Sequence, residues 1–205
     1  MIEPADAVYR GTDSLQQLLA ETLGIFVLRN VEGGGKVSSF FYNIFAKLWN
    51  DGIRSALSNA TITYPHYELW ATGISLGGSL VTIAVHVAVA EKMFKPQKIN
   101  QELGIKNLLK YMIEQLSFFP YSYRVTHAQD IVPHLPPKNF LGYYQHRYEV
   151  WYNNAMKEKD PYSICYSGED YRCSNSRWLN YGTEDHFTYF NTFVFKFIDD
   201  GCEYT

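Results

Sequence analysis

Three short stretches hold residue types that could work together on a carbonyl group. "YELWATGISLGGSL", residues 67 to 80, places Ser75 between Gly73 and Gly77 as G-x-S-x-G. "YSYRVTHAQDIVPHLPP" places Asp130 just past a strand-like segment, and "GTEDHFTYF" places His186 near the C-terminus. A serine, an acid and a histidine in that chain order are the components of nucleophilic acyl transfer: a hydroxyl that attacks, an imidazole that takes its proton, and a carboxylate that orients the imidazole. The context of Ser75 matters more than the pattern. On a sharp turn from strand to helix, flanking glycines remove side chains that would clash, and the helix N-terminus turns free N–H groups toward a developing oxyanion. Each residue also has a plainer reading: Ser75 as an N-cap, Asp130 as a cap of its turn, His186 as a surface histidine.

The elements that would position these residues alternate between strand and helix, the pattern of a mainly parallel sheet flanked by helices. "AVYRGT" reads as a strand, and "SLQQLLAETL" as a helix with Ser14 and Gln17 as its capping box. Its Leu15, Leu18, Leu19 and Leu23 fall on one face. "FYNIFAKLWNDGIRSAL" reads as one amphipathic helix, "HYELWATG" as a strand, and "GGSLVTIAVHVAVAEKM" as a buried helix. "NQELGIKNLLKYMIEQL" has the composition of a further helix, and "YSYRVTH" and "HRYEVWY" alternate as strands.

Composition sets the outer limits. With 205 residues, 46% hydrophobic and 19% charged, the chain reads as a single domain, 1 to 205. A net charge of −3 without a basic run points away from nucleic acid. Seventeen Tyr, thirteen Phe and four Trp favour apolar ligands or interfaces. No apolar run reaches the ~20 residues of a transmembrane helix, and "MIEPADAVYR" has acids and a proline where a secretory leader needs a basic start and an apolar core. The six histidines show no metal-binding spacing, and the chemistry outlined calls for no cofactor. Cys165 and Cys173 are close enough to bracket a short loop, Cys202 has no obvious mate, and "NATI" makes Asn59 a glycosylation candidate.

Taken in order, "YRGT", "GISLGGSL", "YSYRVTHAQDIVPHLPP", "HRYEVWY" and "EDHFTYF" resemble the fungal-type (class 3) lipases of the α/β-hydrolase fold, from about residue 7 to 202. The resemblance implies a serine carboxylic-ester hydrolase of lipid metabolism, acting on triacylglycerol-like esters at an oil–water interface and secreted from the cell. It implies Ser75 as nucleophile, Asp130 as acid and His186 as base, with the Leu76 N–H and Thr12 forming the oxyanion hole. Residues 14 to 26 stand where these lipases carry a lid, so the leucine face of that helix is a lid candidate as well as an ordinary core face. Cys165 and Cys173 match the family's local bridge, and Cys202 matches a cysteine whose family partner lies nearer the N-terminus.

Departures from the family are also expected. Ile74 stands where these lipases usually have His. The chain opens inside the strand ending in "YRGT", so it is expected to be N-terminally shortened, without the family's first helix and strands. Between the elbow helix and "YSYRVTH" the family has a central strand, typically ending in G-Q-P-R. Here "KMFKPQKINQELGIKNLLKYMIEQLSFFP" is lysine-rich and helical in pattern, so the expectation is a sheet lacking that strand. A gap there would misalign Asp130 and His186, and it motivates a second reading: a catalytically impaired, lipase-like lipid-binding or interaction domain.

Overall fold

The structure is a computed structural model that describes residues 5–9, 27–95, 99–104, 109–110, 121–135, 140–145, 148–167, 170–177 and 182–200. Its strands in chain order are β1 (Ala5–Tyr9), β2 (Leu28–Asn30), β3 (Lys36–Ser38), β4 (Leu69–Ile74), β5 (Ile99–Gly104), β6 (Leu109–Lys110), β7 (Tyr121–His127), β8 (Tyr143–Tyr144), β9 (Glu149–Tyr152), β10 (Ser163–Cys165), β11 (Thr188–Tyr189) and β12 (Thr192–Phe193). The helices are α1 (Ser39–Leu48), α2 (Arg54–Thr63), α3 (Leu76–Ala90) and α4 (Val194–Asp199).

The main sheet has the order β1-β4-β5-β7-β9-β10. All its pairs are parallel except β9 with β10. A parallel neighbour requires a crossover rather than a hairpin, and among the described residues α1 and α2 lie between β1 and β4 in the sequence and α3 between β4 and β5. β2, β3, β6 and β8 form a small antiparallel sheet, and β11 pairs with β12.

β5 corrects the expectation of a missing strand. Leu69 to Ile74 pair with Ile99 to Gly104 on one side, and Asn100 to Gly104 pair with Tyr121 to Val125 on the other. The helix expected over 100 to 116 is therefore replaced at its start by β5, and β6 interrupts it again at Leu109–Lys110. Gln, Glu, Leu and Lys favour helix only weakly, and pairing on both edges overrides a preference of a few tenths of a kcal/mol per residue. Gly73 and Leu103 stand in register, as do Leu103 and Arg124, so the ends of β4 and β7 are held at fixed separation.

α3 is buried along nearly its whole length, from Leu76 through Ala88, as its small apolar composition requires. Beneath it, the alternation of β4 sends Leu69, Ala71 and Gly73 inward and Trp70 and Thr72 outward. α1 covers the other side of α3 with Phe41, Tyr42 and Phe45, and this cluster continues to Trp49 and Tyr143. Burying side chains such as Leu80 and Ile83, at 3% and 1% exposure, stabilises the fold by about 1.5–3 kcal/mol each. The single helix expected over 41 to 57 is broken in two: a π-helical turn, Trp49–Ile53, separates α1 from α2, with Gly52 at φ 144°. A side chain at that φ would be strained, so the break falls on the glycine.

Candidate active site

Ser75 lies between β4 and α3 with φ 53° and ψ −125°. That backbone is unfavourable for a residue with a Cβ, and it turns the chain from strand to helix in one step. Gly73 makes the turn possible. A Cβ there would collide with the Gly77 carbonyl and lie 2.8 Å from the Gly78 nitrogen, so the strand end can approach the first helical turn only without one. Leu76 is the first residue of α3, and its N–H belongs to the group that a helix leaves without an intrahelical acceptor.

His186 sits in the short 3-10 turn Glu184–Phe187, 111 residues from Ser75 in sequence. Its Nε2 is 3.0 Å from Ser75 Oγ, and its Nδ1 is 3.0 Å from Asp130 Oδ2. A carboxylate only accepts, so Nδ1 carries the proton and Nε2 presents the lone pair to the serine hydroxyl. Ser75, Asp130 and His186 are 3%, 1% and 4% exposed, so all three are buried.

Asp130 is held from several directions. Its N–H donates to the His127 carbonyl at the end of β7, and its Oδ1 accepts the Val132 N–H at 2.8 Å. Tyr189 donates its hydroxyl to Oδ2 at 2.9 Å, sharing that oxygen with His186. Burial, followed by the neighbouring carboxylate, pushes the Tyr189 phenol well above its ordinary range, so it remains a donor. The Asp130 loop and the His186 loop are also joined directly: Ile131 N–H donates to Gly182 O at 2.9 Å, and Gly182 N–H to Gln129 O at 3.0 Å. Gln129 N–H reaches the Asp185 carboxylate, and the His127 ring contacts the Asp185 carbonyl.

Ser75, Asp130 and His186, read separately from the sequence, are thus brought into one hydrogen-bonded line. A hydroxyl, an imidazole and a buried carboxylate in this arrangement can transfer a proton from serine to imidazole and hold the resulting imidazolium. Thr12, Leu15, Leu18, Leu19, Leu23 and Cys202 lie outside the described residues. Cys165 and Cys173 are joined by a disulfide that packs with Trp151. Asn59 is exposed on α2. Among the described residues no group of three His, Cys, Asp or Glu is placed to hold a metal ion, and no helix is long and apolar enough to cross a membrane. Sequence reasoning missed Tyr189 as a partner of Asp130. Its spacing, three residues after His186, was the available signal.

Comparison with known proteins places the chain in a family. A Caenorhabditis elegans protein named as a lipase is 31% identical over 240 aligned residues, covering 99% of this chain and 66% of its own length. The crystal structure of a lipase from Rhizopus microsporus var. chinensis superimposes with a TM-score of 0.76 at 26% identity, over 89% of this chain and 64% of that one. A triacylglycerol lipase whose catalytic centre is described as a serine protease triad superimposes with a TM-score of 0.74 at 26% identity, over 91% of this chain and 71% of that one. This chain therefore spans about two thirds of the length of these relatives, and the shared fold is the α/β-hydrolase fold. Residues 7–140 match the family model described as lipase (class 3), and the chain belongs to that family.

Proposed function

We propose that this chain is a serine carboxylic-ester hydrolase acting on acylglycerols or similar lipid esters. The observation that carries this reading is the unbroken line from Ser75 Oγ through His186 to Asp130, with both contacts at 3.0 Å. In the proposed cycle, Ser75 Oγ attacks the ester carbonyl carbon while His186 Nε2 takes its proton. The Leu76 N–H, with Thr12 as the second donor, binds the developing oxyanion. His186 then returns the proton to the alkoxide, the alcohol leaves, and an acyl-serine remains. Water attacks that acyl group by the same route, releasing the fatty acid and restoring Ser75. Asp130 holds the imidazole in the required tautomer throughout.

The competing reading, an impaired lipid-binding domain, drew its support from an absent central strand. β5 occupies that place. Residues 14 to 26, with Leu15, Leu18, Leu19 and Leu23 on one face, are the proposed lid of this site. Opening at an oil–water interface, where that apolar face would gain a partner, follows from the same reading, as does secretion by analogy with fungal-type lipases. The test is turnover of emulsified triacylglycerol and of a soluble short-chain ester by the purified chain and by Ser75→Ala. Ester hydrolysis that vanishes in the variant and rises at the emulsion threshold supports the proposal. A folded chain with no Ser75-dependent turnover of either substrate refutes it.

A further inference from the structure

Beneath the Asp130 loop lies a closed circuit of buried polar side chains that takes no part in the proton transfers. Arg124 on β7 and Glu149 on β9 are both fully buried, with Arg124 Nη2 3.0 Å from Glu149 Oε2. Thr126 Oγ1 donates to Glu149 Oε1 at 2.7 Å, and Ser174 Oγ donates to the same oxygen. Ser174 has one hydroxyl proton and spends it on Glu149, so its contact with His134 Nε2 at 3.0 Å is one in which the imidazole donates. Arg124 Nη1 reaches the Pro133 carbonyl at 3.4 Å and completes the loop.

The circuit starts and finishes on adjacent residues, Pro133 and His134, three and four positions beyond Asp130. That is the part of the loop that the two Gly182 bonds do not hold. A buried ion pair is a poor way to add stability, because desolvating two charges offsets most of their attraction and an apolar pair of similar size often holds a fold equally well. What such a pair does supply is direction: Glu149 gathers Arg124, Thr126 and Ser174 on its two oxygens, and the angles of those bonds fix where each partner must stand. The protonation state is fixed too. Burial, then the Arg124 charge, holds His134 at about 3, so its ring stays neutral at ordinary pH. Ser174 directly follows Cys173, whose disulfide to Cys165 ends β10 beside β9, so the bridge keeps Ser174 within reach.

We infer that Arg124, Glu149, Ser174 and His134 are positioning residues: they aim Asp130 at His186 and thereby set turnover, beyond any part they have in holding the fold. This rests on the reading of Ser75, His186 and Asp130 given above. The test compares the unmodified chain with Ser174→Ala and with the double variant Arg124→Met/Glu149→Leu, which removes both charges together. Four quantities are read: kcat and KM on a soluble ester, the downfield proton NMR signal of the His186 Nδ1–H bonded to Asp130, and the thermal midpoint. The expected result is a fall in kcat of about 10-fold with KM unchanged, as small misplacements of a catalytic group produce. The Nδ1–H signal should shift or broaden in both variants, even if the double variant is as stable as the parent. Variants with an unchanged signal and unchanged kcat, whatever their midpoint, overturn the inference. Should the double variant not fold, Ser174→Ala decides. An unmodified chain without ester turnover contradicts the activity reading, and the NMR comparison then still decides whether the circuit positions Asp130.

Discussion

The two halves of the main sheet hold their parts of the site by different physics. Around β4 the packing is apolar: Leu69 and Ala71 lie under Leu80, Ile83 and Val87, and Phe41, Phe45 and Trp49 close the far side. Around β7 and β9 an apolar cluster of Val125, Val132, Met156 and Tyr189 is joined by a second, polar interior, with Arg124, Thr126, His134, Glu149 and Ser174 all buried and hydrogen-bonded together. The first half needs to deliver one oxygen atom, and a strained backbone at Ser75, between a strand and a helix packed mainly by apolar side chains, does so. The second half must deliver two groups from separate loops in mutual alignment. Apolar packing is non-directional, whereas hydrogen bonds specify angle as well as distance.

The largest effect expected from breaking this division is on the polar side. Asp130→Asn should lower kcat by about 10⁴-fold while leaving the fold intact, since the amide no longer selects the Nδ1–H tautomer; steady-state kinetics with circular dichroism checks both. Glu149→Ala strands a buried guanidinium and should cost about 3–5 kcal/mol in denaturant unfolding. On the apolar side Ile83→Val, which removes one buried methylene, should cost about 0.5–1.5 kcal/mol. Equal costs for these two changes would erase the contrast between the halves. Tyr189→Phe removes one of the two bonds on Asp130 Oδ2 and should reduce kcat by about 5-fold, equivalent to roughly 1 kcal/mol. Acid sensitivity gives a separate test of the polar side. His134 sits at about 3 in the folded chain against 6.5 ordinarily, so the unfolded chain binds more protons between those values. Stability should therefore fall as pH drops from about 6.5 towards 3, and His134→Gln should make that decline shallower in pH-dependent thermal melts.

The site was more legible in the sequence than the sheet around it. Gly73, Ser75 and Gly77 announce their turn because backbone sterics leave few alternatives, and Asp130 was marked by a strand end followed by prolines. β5 was not legible. Asn100, Gln101 and Glu102 carry no strand signal of their own, and their pairing with residues of β4 and β7 is a long-range outcome that local periodicity does not encode. The break at Gly52 was not legible either, because the apolar spacing on its two sides fits one helix. The polar circuit was hidden for the same reason as β5, since Arg124 and Glu149 are 25 residues apart and Ser174 a further 25. Separately, each reads as an ordinary surface residue.

The central claim is that Ser75 is an activated nucleophile, and covalent labelling of the folded chain with a fluorophosphonate probe tests it most directly. Labelling is expected at Ser75, located by peptide mass spectrometry, and should disappear in Ser75→Ala and in His186→Ala. A demonstrably folded chain that the probe does not label, or one labelled equally in His186→Ala, would contradict it.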